Sequence, residues 1–591
     1  MFTLRFKTVI YRPDLQITIR NNVDGWAEDI PGIYENDEWR FELPEEQFAS
    51  GMHFKFVLEQ RYWMNGANLF IHPNTGDDFT FESPQIQFPP MNEVIVENAS
   101  FQQMFFKPNL NEGHLFDVIV IGSGIGGGIV AEQLADLGAD VLVLEAGSYL
   151  FPTHIANLPR QHQIGQFDKH VWGLYDEFKV ENFVNGAGSQ FGGGQAFNLG
   201  GRSVFWGGLI PRMQWWELED WPESVRWYLE SPGFERAEQL MKWPLPPSTY
   251  QQQIKTLLSS WVADFDHLDA SVAVRHSNIA SGTIGSGMFS TADLLAEAKL
   301  TDHPIGAHNL SVNLNHAVLQ IHTDGGSVTE VDAHDLLSDR IRKFRSKYVI
   351  LAAGTVESAK LAKLSGLADP TNQVGKGMTD HPILFTHFSI PTTSTHHRSD
   401  TSSKTISRHR DAAPDAHPYN MLLELGADLN QGRYLDPDTL AQHRAEKSSA
   451  MLCEIVFLFN APLMEANHLD HAGPSYAKPV IHMQPSPAAD TFLAEIDGIK
   501  NAVIAQLGGE ALPGQDLSLK RGGIGGVAHE VGTLRLGADG TGVVDTNLKY
   551  NGYDNLFVCD LSVFPTSPAA NPTLTLAALS LRLADHVKGL L

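Results

Sequence analysis

The sequence predicts an α/β (α+β) fold built from several domains, and three observations carry this prediction. Residues 116–147, FDVIVIGSGIGGGIVAEQLADLGADVLVLEAG, place an apolar run, a glycine-rich turn, a helical pattern and a second apolar run in βαβ order. The first 110 residues alternate polar and apolar positions instead, as half-exposed β-strands do. A length of 591 residues exceeds what one core fills, so about two to four domains are expected.

Composition and charge exclude several classes of protein. The net charge is −27, so most of the surface repels nucleic acid and anionic lipid. Both cysteines, Cys453 and Cys559, lie in apolar segments, which indicates buried free thiols and no disulfide framework. The N-terminus lacks the apolar core of a signal peptide, and no run of about 18 apolar residues could span a bilayer. A soluble, cytoplasmic protein is therefore expected.

Residues 1–110 predict a small β-sandwich. Their segments LQITIRN, EWRFELP, HFKFVLEQRYW and FTFESPQIQF are strand-like and are separated by turn signals. The stretch GMHFKFVLEQRYWMNGANLF resembles starch-binding carbohydrate modules, whose exposed aromatic rings stack on sugars. That resemblance implies a sugar platform made of Trp26, Trp39, Tyr62 and Trp63. A docking or oligomerisation role stays open, because aromatic residues of small β domains are commonly buried in a core or an interface.

The stretch 116–147, which we call the fingerprint, predicts a bound dinucleotide. Gly122, Gly124 and Gly127 follow an apolar strand in GxGxxG spacing and open a helix. Glycines in these places allow a tight turn, close approach of the backbone to a pyrophosphate, and close helix–strand packing. The helix N-terminus favours the anionic phosphates. Glu145, 23 positions beyond Gly122, can accept hydrogen bonds from a ribose.

Two more glycine-rich regions accompany the fingerprint. Residues 186–213, GAGSQFGGGQAFNLGGRSVFWGGLIPRM, interleave glycines with aromatic and aliphatic residues, which suits a backbone lying against a flat, extended ligand. Near the C-terminus, His529 follows GGIGGVA, and Asn571 precedes Pro572 and an amphipathic helix. The N-terminus of that helix directs free N–H groups at whatever lies before it. The buried stripe of the helix is expected at Leu576, Leu579, Leu583 and Val587.

The order of these segments resembles the glucose–methanol–choline (GMC) family of FAD-dependent oxidoreductases. The shared landmarks span about 115–591: the fingerprint, the glycine-rich loop, AAG at 352–354, DHP at 380–382, HEVGT from His529 and NPT from Asn571. Within them, LGGRSVFWGG resembles the pyranose-oxidase branch, whose flavin-linking histidine corresponds here to Phe205. Phenylalanine cannot form that bond, so the resemblance implies non-covalent FAD.

The resemblance also implies which residues contact FAD and how the domains divide. Asp560 corresponds to the family's acid near the diphosphate and ribityl part of FAD, whereas Asp380 and His381 are interpreted as structural. The implied FAD-binding domain covers 111–212, 301–382 and 527–591 and is Rossmann-like; an inserted substrate-binding domain, 213–300 and 383–526, is built around an antiparallel sheet. The implied cofactor-binding residues are Gly122, Gly124, Gly127, Glu145, Gly200, Gly201, Ser203, Trp206, Gly207, Ala353, Gly354, Asp560, Pro572 and Thr573.

Two polar stretches of the implied substrate-binding domain receive separate interpretations. Residues 391–420 contain few apolar residues and are interpreted as a disordered surface loop or a mobile lid over the substrate. NHLDH at 467–471 has metal-capable side chains without a recognised ligand spacing, and is interpreted as a solvated face. No metal site is predicted.

The function that the resemblance implies is FAD-dependent oxidation of a primary or secondary alcohol, with sugars or glycosides preferred. His529 would take the hydroxyl proton, Asn571 would hold the hydroxyl oxygen, and hydride would pass to flavin N5. Oxygen or another electron acceptor would complete the cycle, and an oligomer is possible. Alternatives are a lyase or a photodecarboxylase with GMC motifs, a catalytically silent carbohydrate-binding protein, and a nicotinamide dehydrogenase sharing only the fingerprint.

Overall fold

The computed structural model describes most of the chain. The described residues are 1–8, 15–74, 77–82, 86, 88, 106–151, 153–157, 178–241, 247–275, 287–300, 309–426, 435–447, 449–471 and 477–591. The last part of the strand segment predicted at 79–88 lies largely outside them. None of the described helices is both long enough and apolar enough to cross a membrane.

Two sheets near the N-terminus enclose one core. Alternate residues of facing strands, such as Phe2 and Phe6 in one sheet and Phe54 and Phe56 in the other, are buried in a single cluster. The pairs are antiparallel except that Phe2–Lys7 runs parallel to Asp78–Glu82. The four-stranded sheet has the order Ile33–Glu35, Glu38–Leu43, Phe2–Lys7 and Asp78–Glu82. The other sheet contains Ile30–Pro31, Ile17–Asn21, Met52–Leu58, Tyr62–Trp63 and Leu69–Ile71, and a short helix spans Glu45–Phe48.

The fingerprint lies at the centre of a seven-stranded sheet. Its first strand, Leu115–Ile121, pairs in parallel with Val141–Leu144 on one side and with Arg340–Leu351 on the other. Residues 118–121 are all buried, as expected of a strand covered on both faces. The sheet order is Leu310–Asn313, Val141–Leu144, Leu115–Ile121, Arg340–Leu351, Ser327–Asp335 and His316–Asp324, and Leu556–Val558 also pairs with Arg340–Leu351.

The fingerprint helix, Ile125–Asp136, and the C-terminal helix, Thr573–Leu590, pack against each other beside this sheet. All four residues expected on the buried stripe of the C-terminal helix are buried. The fingerprint helix also packs closely on the chain after the strand Leu556–Val558, since a side chain at Gly126 would meet the Cys559 carbonyl oxygen at 1.8 Å. Cys559 and Cys453 are both buried and neither forms a disulfide, as the sequence predicts.

A six-stranded antiparallel sheet, which we call the substrate-side sheet, faces the nucleotide-binding part of the chain. One of its faces is covered by the helices Thr249–Trp261 and Leu493–Leu507. The strand order is Phe265–Asp269, Ser403–His409, Tyr419–Leu425, Met451–Phe459, Ile383–Ile390 and Lys520–Arg521.

The other described elements connect these layers. A four-stranded sheet contains Val184–Asn185, Val480–His482, Met464–Asp470 and Lys376–Gly377, and two small ribbons pair Val274–Arg275 with Gly287–Met288 and Ala461–Pro462 with Thr566–Ser567. The remaining helices are Glu223–Tyr228, Phe234–Met241, Thr291–Leu300, Thr355–Leu364 and Pro437–Glu446. Short 3₁₀ turns occur at Ile155–Asn157, Gly201–Val204, Trp215–Leu218, Asp490–Phe492 and Leu561–Val563, and a π turn at Leu229–Gly233.

The structure corrects the interpretation of 391–420 as a disordered loop or lid. Ser403–His409 is a strand inside the substrate-side sheet, paired with Phe265–Asp269 and Tyr419–Leu425. Its buried residues include Ser403, Thr405 and Ser407, whose polar side chains hide the strand from a hydropathy pattern. Tertiary hydrogen bonds satisfy two of them: Ser403 Oγ donates to Gln251 Oε1 (2.8 Å), and Ser407 Oγ pairs with His267 Nδ1 (2.7 Å).

The segment 213–300, predicted to belong to the substrate-binding domain, is divided between two packing layers. The helix Thr249–Trp261 packs on the substrate-side sheet. The helices Phe234–Met241 and Thr291–Leu300, however, pack in the core of the nucleotide-binding part, against the C-terminal and fingerprint helices. The sequence shows that each helix has an apolar face, but it does not show against which sheet that face packs.

Candidate active site

One large cavity collects most of the residues predicted for the site. It lies between the fingerprint turn, the glycine-rich loop, the C-terminal segments and the substrate-side sheet. Gly127, Gly200 and Pro572 do not line it. The predicted residues that do are Gly122, Gly124, Glu145, Gly201, Ser203, Trp206, Gly207, Ala353, Gly354, His529, Asp560, Asn571 and Thr573.

The three fingerprint glycines meet different physical demands. Gly122 has φ +99°, and a side chain there would meet the Ala352 carbonyl oxygen at 2.4 Å. A side chain at Gly127 would meet the Gly122 carbonyl oxygen at 2.1 Å, so this glycine serves helix–strand packing. Gly124 has an ordinary φ of −61°, and no described protein atom lies within 4 Å of a Cβ built on it. The space at Gly124 therefore belongs to the cavity, and nothing in the chain's own packing requires a glycine there.

Glu145 ties the fingerprint turn to the neighbouring strand end. Its carboxylate accepts hydrogen bonds from Ser123 N (3.0 Å), Ser123 Oγ (2.6 Å) and Gly147 N (2.9 Å). Burial raises the pKa of the Glu145 carboxyl. Ser123 Oγ also accepts from Gly200 N at 2.9 Å, which connects the fingerprint to the glycine-rich loop. Gly200 thus contributes through this contact and not by lining the cavity.

His316 lines the cavity beside Glu145 and was missed by sequence reasoning. Its backbone N–H donates to the Glu145 carbonyl oxygen (2.8 Å), and its Nδ1 donates to the Leu314 carbonyl oxygen (2.8 Å). Burial lowers the pKa of the ring. Its buried Nε2 has no hydrogen-bond partner among the described residues. No sequence motif marks His316. The only available signal was its position just after a predicted strand.

Asp560 holds the AAG turn in place. Its carboxylate accepts from Ser358 Oγ (2.5 Å), Gly354 N (2.9 Å) and Ser562 N (2.9 Å), and burial raises its pKa. Gly354 has φ +91°, and a Cβ built there meets no described protein atom within 4 Å. Gly354 precedes the helix Thr355–Leu364, so the free volume beside Gly354 lies at a helix N-terminus, as it does at Gly124.

His529 is hydrogen-bonded to His381, which the sequence analysis interpreted as structural. His529 Nδ1 lies 2.9 Å from His381 Nε2, and His381 Nδ1 lies 2.6 Å from the Pro568 carbonyl oxygen. The two rings meet edge to face. His381 is 4% exposed and does not line the cavity, so it acts on the cavity through the residues that it contacts.

The loop before Asn571 is held from two sides. His381 contacts the Pro568 carbonyl oxygen, and Glu217 Oε1 accepts from Ala570 N at 2.7 Å. Glu217 is 1% exposed and lies in the segment where the sequence showed no motif. Asn571 Oδ1 is buried at the cavity and has no hydrogen-bond partner among the described residues. The chain therefore positions this amide by its backbone and leaves its oxygen available.

Glu530, the residue after His529, is buried and lines the cavity. Arg202 Nη1 donates to Glu530 Oε2 at 2.7 Å, joining the glycine-rich loop to the residue after His529. The side chain of Glu530 is 3% exposed and that of Arg202 is 28% exposed. Glu530 Oε1 has no hydrogen-bond partner within the described part of the chain.

Comparisons with known proteins relate the C-terminal segment and the chain as a whole to oxidoreductases. Residues 509–580, which include His529 and Asn571, match the family model described as GMC oxidoreductase. A 2-methyl-1,2-propanediol dehydrogenase of Mycolicibacterium austroafricanum is 23% identical over 80% of this chain and 95% of that protein. The 6'''-hydroxyparomomycin C oxidase of Streptomyces lividus is 22% identical over 80% and 92%.

The chain is an oxidoreductase, and its residues 509–580 are of the GMC type. A further relative of this oxidoreductase, the long-chain-alcohol oxidase FAO4B of Arabidopsis thaliana, is 24% identical over 80% of this chain and 67% of that protein. The crystal structure of pyridoxine 4-oxidase from Mesorbium loti has a TM-score of 0.53 and 16% identity, covering 80% of this chain and 99% of that one. At that identity the likeness shows the shared fold.

The cavity of this oxidoreductase fits FAD, on which GMC oxidoreductases generally depend. Free volume beside Gly124 allows a phosphate to approach the backbone at a helix N-terminus. Buried polar atoms without partners among the described residues occur at both ends, His316 Nε2 near Glu145 and Asn571 Oδ1 near His529. A long ligand with polar groups at its two ends would satisfy them.

Outside the cavity, the aromatic residues predicted to form a sugar platform are not all exposed. Trp39 is 5% exposed and part of the N-terminal core, which removes it from the expected sugar platform. Trp26 and Trp63 do lie together, with ring centroids 6.0 Å apart, but the Arg20 guanidinium lies 5.3 Å from the Trp63 ring.

Two groups of described residues bring three possible metal ligands within 4.8 Å of one another. One group lies partly in NHLDH and consists of His468, Asp470 and His482. The other consists of His322, Glu330 and Asp332, where Lys343 Nζ already binds both acids (2.7 and 3.3 Å). Neither group contacts the cavity.

Proposed function

We propose that this oxidoreductase oxidises a primary or secondary alcohol to a carbonyl compound, with His529 as the general base. The observation that carries the proposal is the His381–His529 hydrogen bond, which orients a ring at the cavity beside Asn571. The relatives' names span a propanediol dehydrogenase and a long-chain-alcohol oxidase, which supports alcohols as a class.

The hydrogen-bond chain determines which nitrogen of His529 is basic. The Pro568 carbonyl can only accept, so neutral His381 carries its proton on Nδ1 and accepts at Nε2. His529 Nδ1 must then donate to His381, which places the lone pair of neutral His529 on Nε2. In this proposal Nε2 takes the proton of the substrate hydroxyl.

Asn571 completes the oxygen site in this proposal. A hydroxyl group that donates to His529 can accept a hydrogen bond from the Asn571 amide N–H, which stabilises negative charge developing on its oxygen. The C-terminal helix begins at Thr573, next to Asn571, and its N-terminus favours negative charge at the same end of the cavity. When bound, FAD supplies the acceptor for the hydride that leaves the carbon.

The proposed cofactor contacts are the residues inferred from the sequence that line the cavity, with His316 added near Glu145. Phe205 is 1% exposed and packs on the rings of Phe151 and Phe178, and it offers no nucleophile. We therefore propose that FAD is held without a covalent bond. Oxygen or another acceptor would then reoxidise it.

Replacing His529 with Ala tests the proposal. Anaerobic addition of an alcohol should bleach the flavin absorbance of the wild type and leave that of His529→Ala unchanged, with equal FAD content in both proteins. His468→Ala, on a strand outside the cavity, is the matched control and should bleach like the wild type. Undiminished bleaching of His529→Ala would refute the role of His529, whereas substrate cleavage without bleaching would favour the lyase alternative.

A further inference from the structure

The cavity has an aliphatic wall next to the proposed base. Five buried aliphatic residues both line the cavity and pack into one cluster, and we call this wall the aliphatic chamber. Leu422 and Val456 are directly opposite each other on neighbouring strands of the substrate-side sheet, so they share the face that meets the cavity. The chamber consists of Leu209, Leu422, Val456, Leu458 and Val527.

The chamber belongs to the reacting end of the cavity. Val527 precedes His529 by two residues, and both line the cavity. The other end is marked by Glu145 and His316, on the far side of the fingerprint turn. A substrate whose hydroxyl reaches His529 therefore has its remaining atoms against aliphatic side chains.

The neighbours of the chamber on the same sheet face are also apolar. Ile406 lies opposite Leu422, Phe385 opposite Val456 and Ile383 opposite Leu458, and all three pack in the same cluster as the lining residues. These three side chains form no hydrogen bonds, and Asn420, which also lies opposite Leu458, does not line the cavity. A polar substrate group pressed against the chamber would thus lose water without gaining a protein partner.

Beside the chamber, two residues along four strands of this sheet, lies a row of charged and titratable groups. Lys404, Glu424, Glu454 and His387 lie in successive cross-strand register. These groups pair with one another: Lys404 Nζ lies 2.7 Å from Glu424 Oε1, and His387 Nε2 lies 3.2 Å from Glu454 Oε1. Lys404 alone of the four lines the cavity, so the row bounds the chamber and does not interrupt it.

We infer that the substrate is an alcohol with an alkyl or aryl body, and not a sugar; this rests on the proposed function. A sugar ring would bring several hydroxyls against the chamber, and each hydroxyl left without a partner lowers affinity by roughly tenfold. An alkyl or aryl body instead gains from leaving water. The sugar preference expected from the sequence is therefore replaced here by a preference for apolar alcohols.

Substrate titrations test the inference directly. Benzyl alcohol and 1-hexanol should bleach the flavin anaerobically at concentrations at least about tenfold lower than glucose or methyl glucoside. Equal or better bleaching by the sugars would overturn the inference and leave the proposed oxidation standing.

Binding to the inactive protein separates the two proposals. The same compounds are titrated into FAD-loaded His529→Ala, with the shift of the flavin spectrum as readout. If no compound bleaches the wild type but benzyl alcohol binds more tightly than glucose, the proposed oxidation fails and the chamber stands. Tighter binding of glucose, or no binding of either alcohol, overturns the chamber.

A near-isosteric substitution probes the wall itself. Val456→Thr exchanges a methyl group for a hydroxyl and should raise the dissociation constant of benzyl alcohol about tenfold with FAD content unchanged. Val503→Thr is the matched control, because Val503 is equally buried but lies in the core on the other face of the sheet. If Val456→Thr binds benzyl alcohol no more weakly than Val503→Thr does, the wall does not select the substrate.

Discussion

At the scale of single residues, the proposed chemistry depends on orientation more than on the identity of one histidine. His529 alone could present either ring nitrogen to a substrate. The bond to His381, and through it to the Pro568 carbonyl, selects one tautomer and one ring orientation. His381 is thus a positioning residue that does not itself reach the cavity.

Replacing His381 should slow flavin reduction without emptying the site. We expect His381→Phe to lower the rate of anaerobic reduction at saturating alcohol by about 10- to 100-fold, below the full contribution of a general base. His381→Gln, which can still donate to Pro568 and accept from His529, should recover part of the rate. Rapid-mixing absorbance gives the rate, and spectral titration gives the dissociation constant of the alcohol.

A purely structural role for His381 would give a different pattern. Both variants would then bind less FAD, melt at lower temperature and lose alcohol affinity in parallel. Equal rates for His381→Phe and His381→Gln would contradict the positioning role.

At the scale of elements, the glycines of the fingerprint turn serve two different purposes, one the packing of the fold and the other the binding of a ligand. Gly127 is required by the contact of the fingerprint helix with the Gly122 carbonyl, whereas Gly124 faces open cavity. Two neighbouring glycines of one motif therefore have different physical reasons. The same substitution should test each of them.

Gly127→Ala should destabilise the apo protein, and Gly124→Ala should not. The methyl group added at Gly127 pushes the fingerprint helix away from the Gly122 carbonyl. This should lower the free energy of unfolding by about 1–3 kcal/mol. Gly124→Ala should leave the apo melting temperature unchanged but raise the dissociation constant of FAD at least about tenfold, because the methyl occupies ligand space. Thermal unfolding of apo protein and FAD titration measure the two effects; apo instability of Gly124→Ala would contradict the assignment.

At the scale of the whole molecule, the N-terminal β domain is packed onto the nucleotide-binding part. Leu319 and Ile341, from two strands of the seven-stranded sheet, pack against the N-terminal core. Leu319 also lines the cavity, at the end that holds Glu145 and His316. The domain therefore supports the sheet edge that the proposed cofactor site uses.

Breaking this contact should uncouple the N-terminal domain. Ile341→Asp places a charge in the apolar contact, at a cost on the order of 2 kcal/mol. We expect a separate low-temperature transition in thermal unfolding and faster proteolysis of the N-terminal domain, whereas Ile341→Val should behave like the wild type. An unchanged single transition in Ile341→Asp would mean that the contact contributes little.

Local sequence patterns were sufficient to predict the parts of this protein whose structure depends on residues close together in the sequence. The sequence predicted the fingerprint strand, its glycine spacing and the C-terminal helix. These features depend on backbone conformation and on amphipathic periodicity, which residues close together in the sequence determine. The burial of both cysteines followed in the same way. The family resemblance added His529 and Asn571 as candidates, and both line the cavity.

Only the tertiary structure could decide the long-range contacts that give those candidates their setting. His381 and His529 are 148 residues apart, and Glu217 and Ala570 are 353 apart, so no local pattern joins them. The strand Ser403–His409 buries hydroxyl side chains that look like loop residues until their partners on other segments are known. By itself the sequence determined that a dinucleotide fold is present and where its ends lie; burial and hydrogen bonding between distant segments decided which side chains face the reaction and what surrounds it.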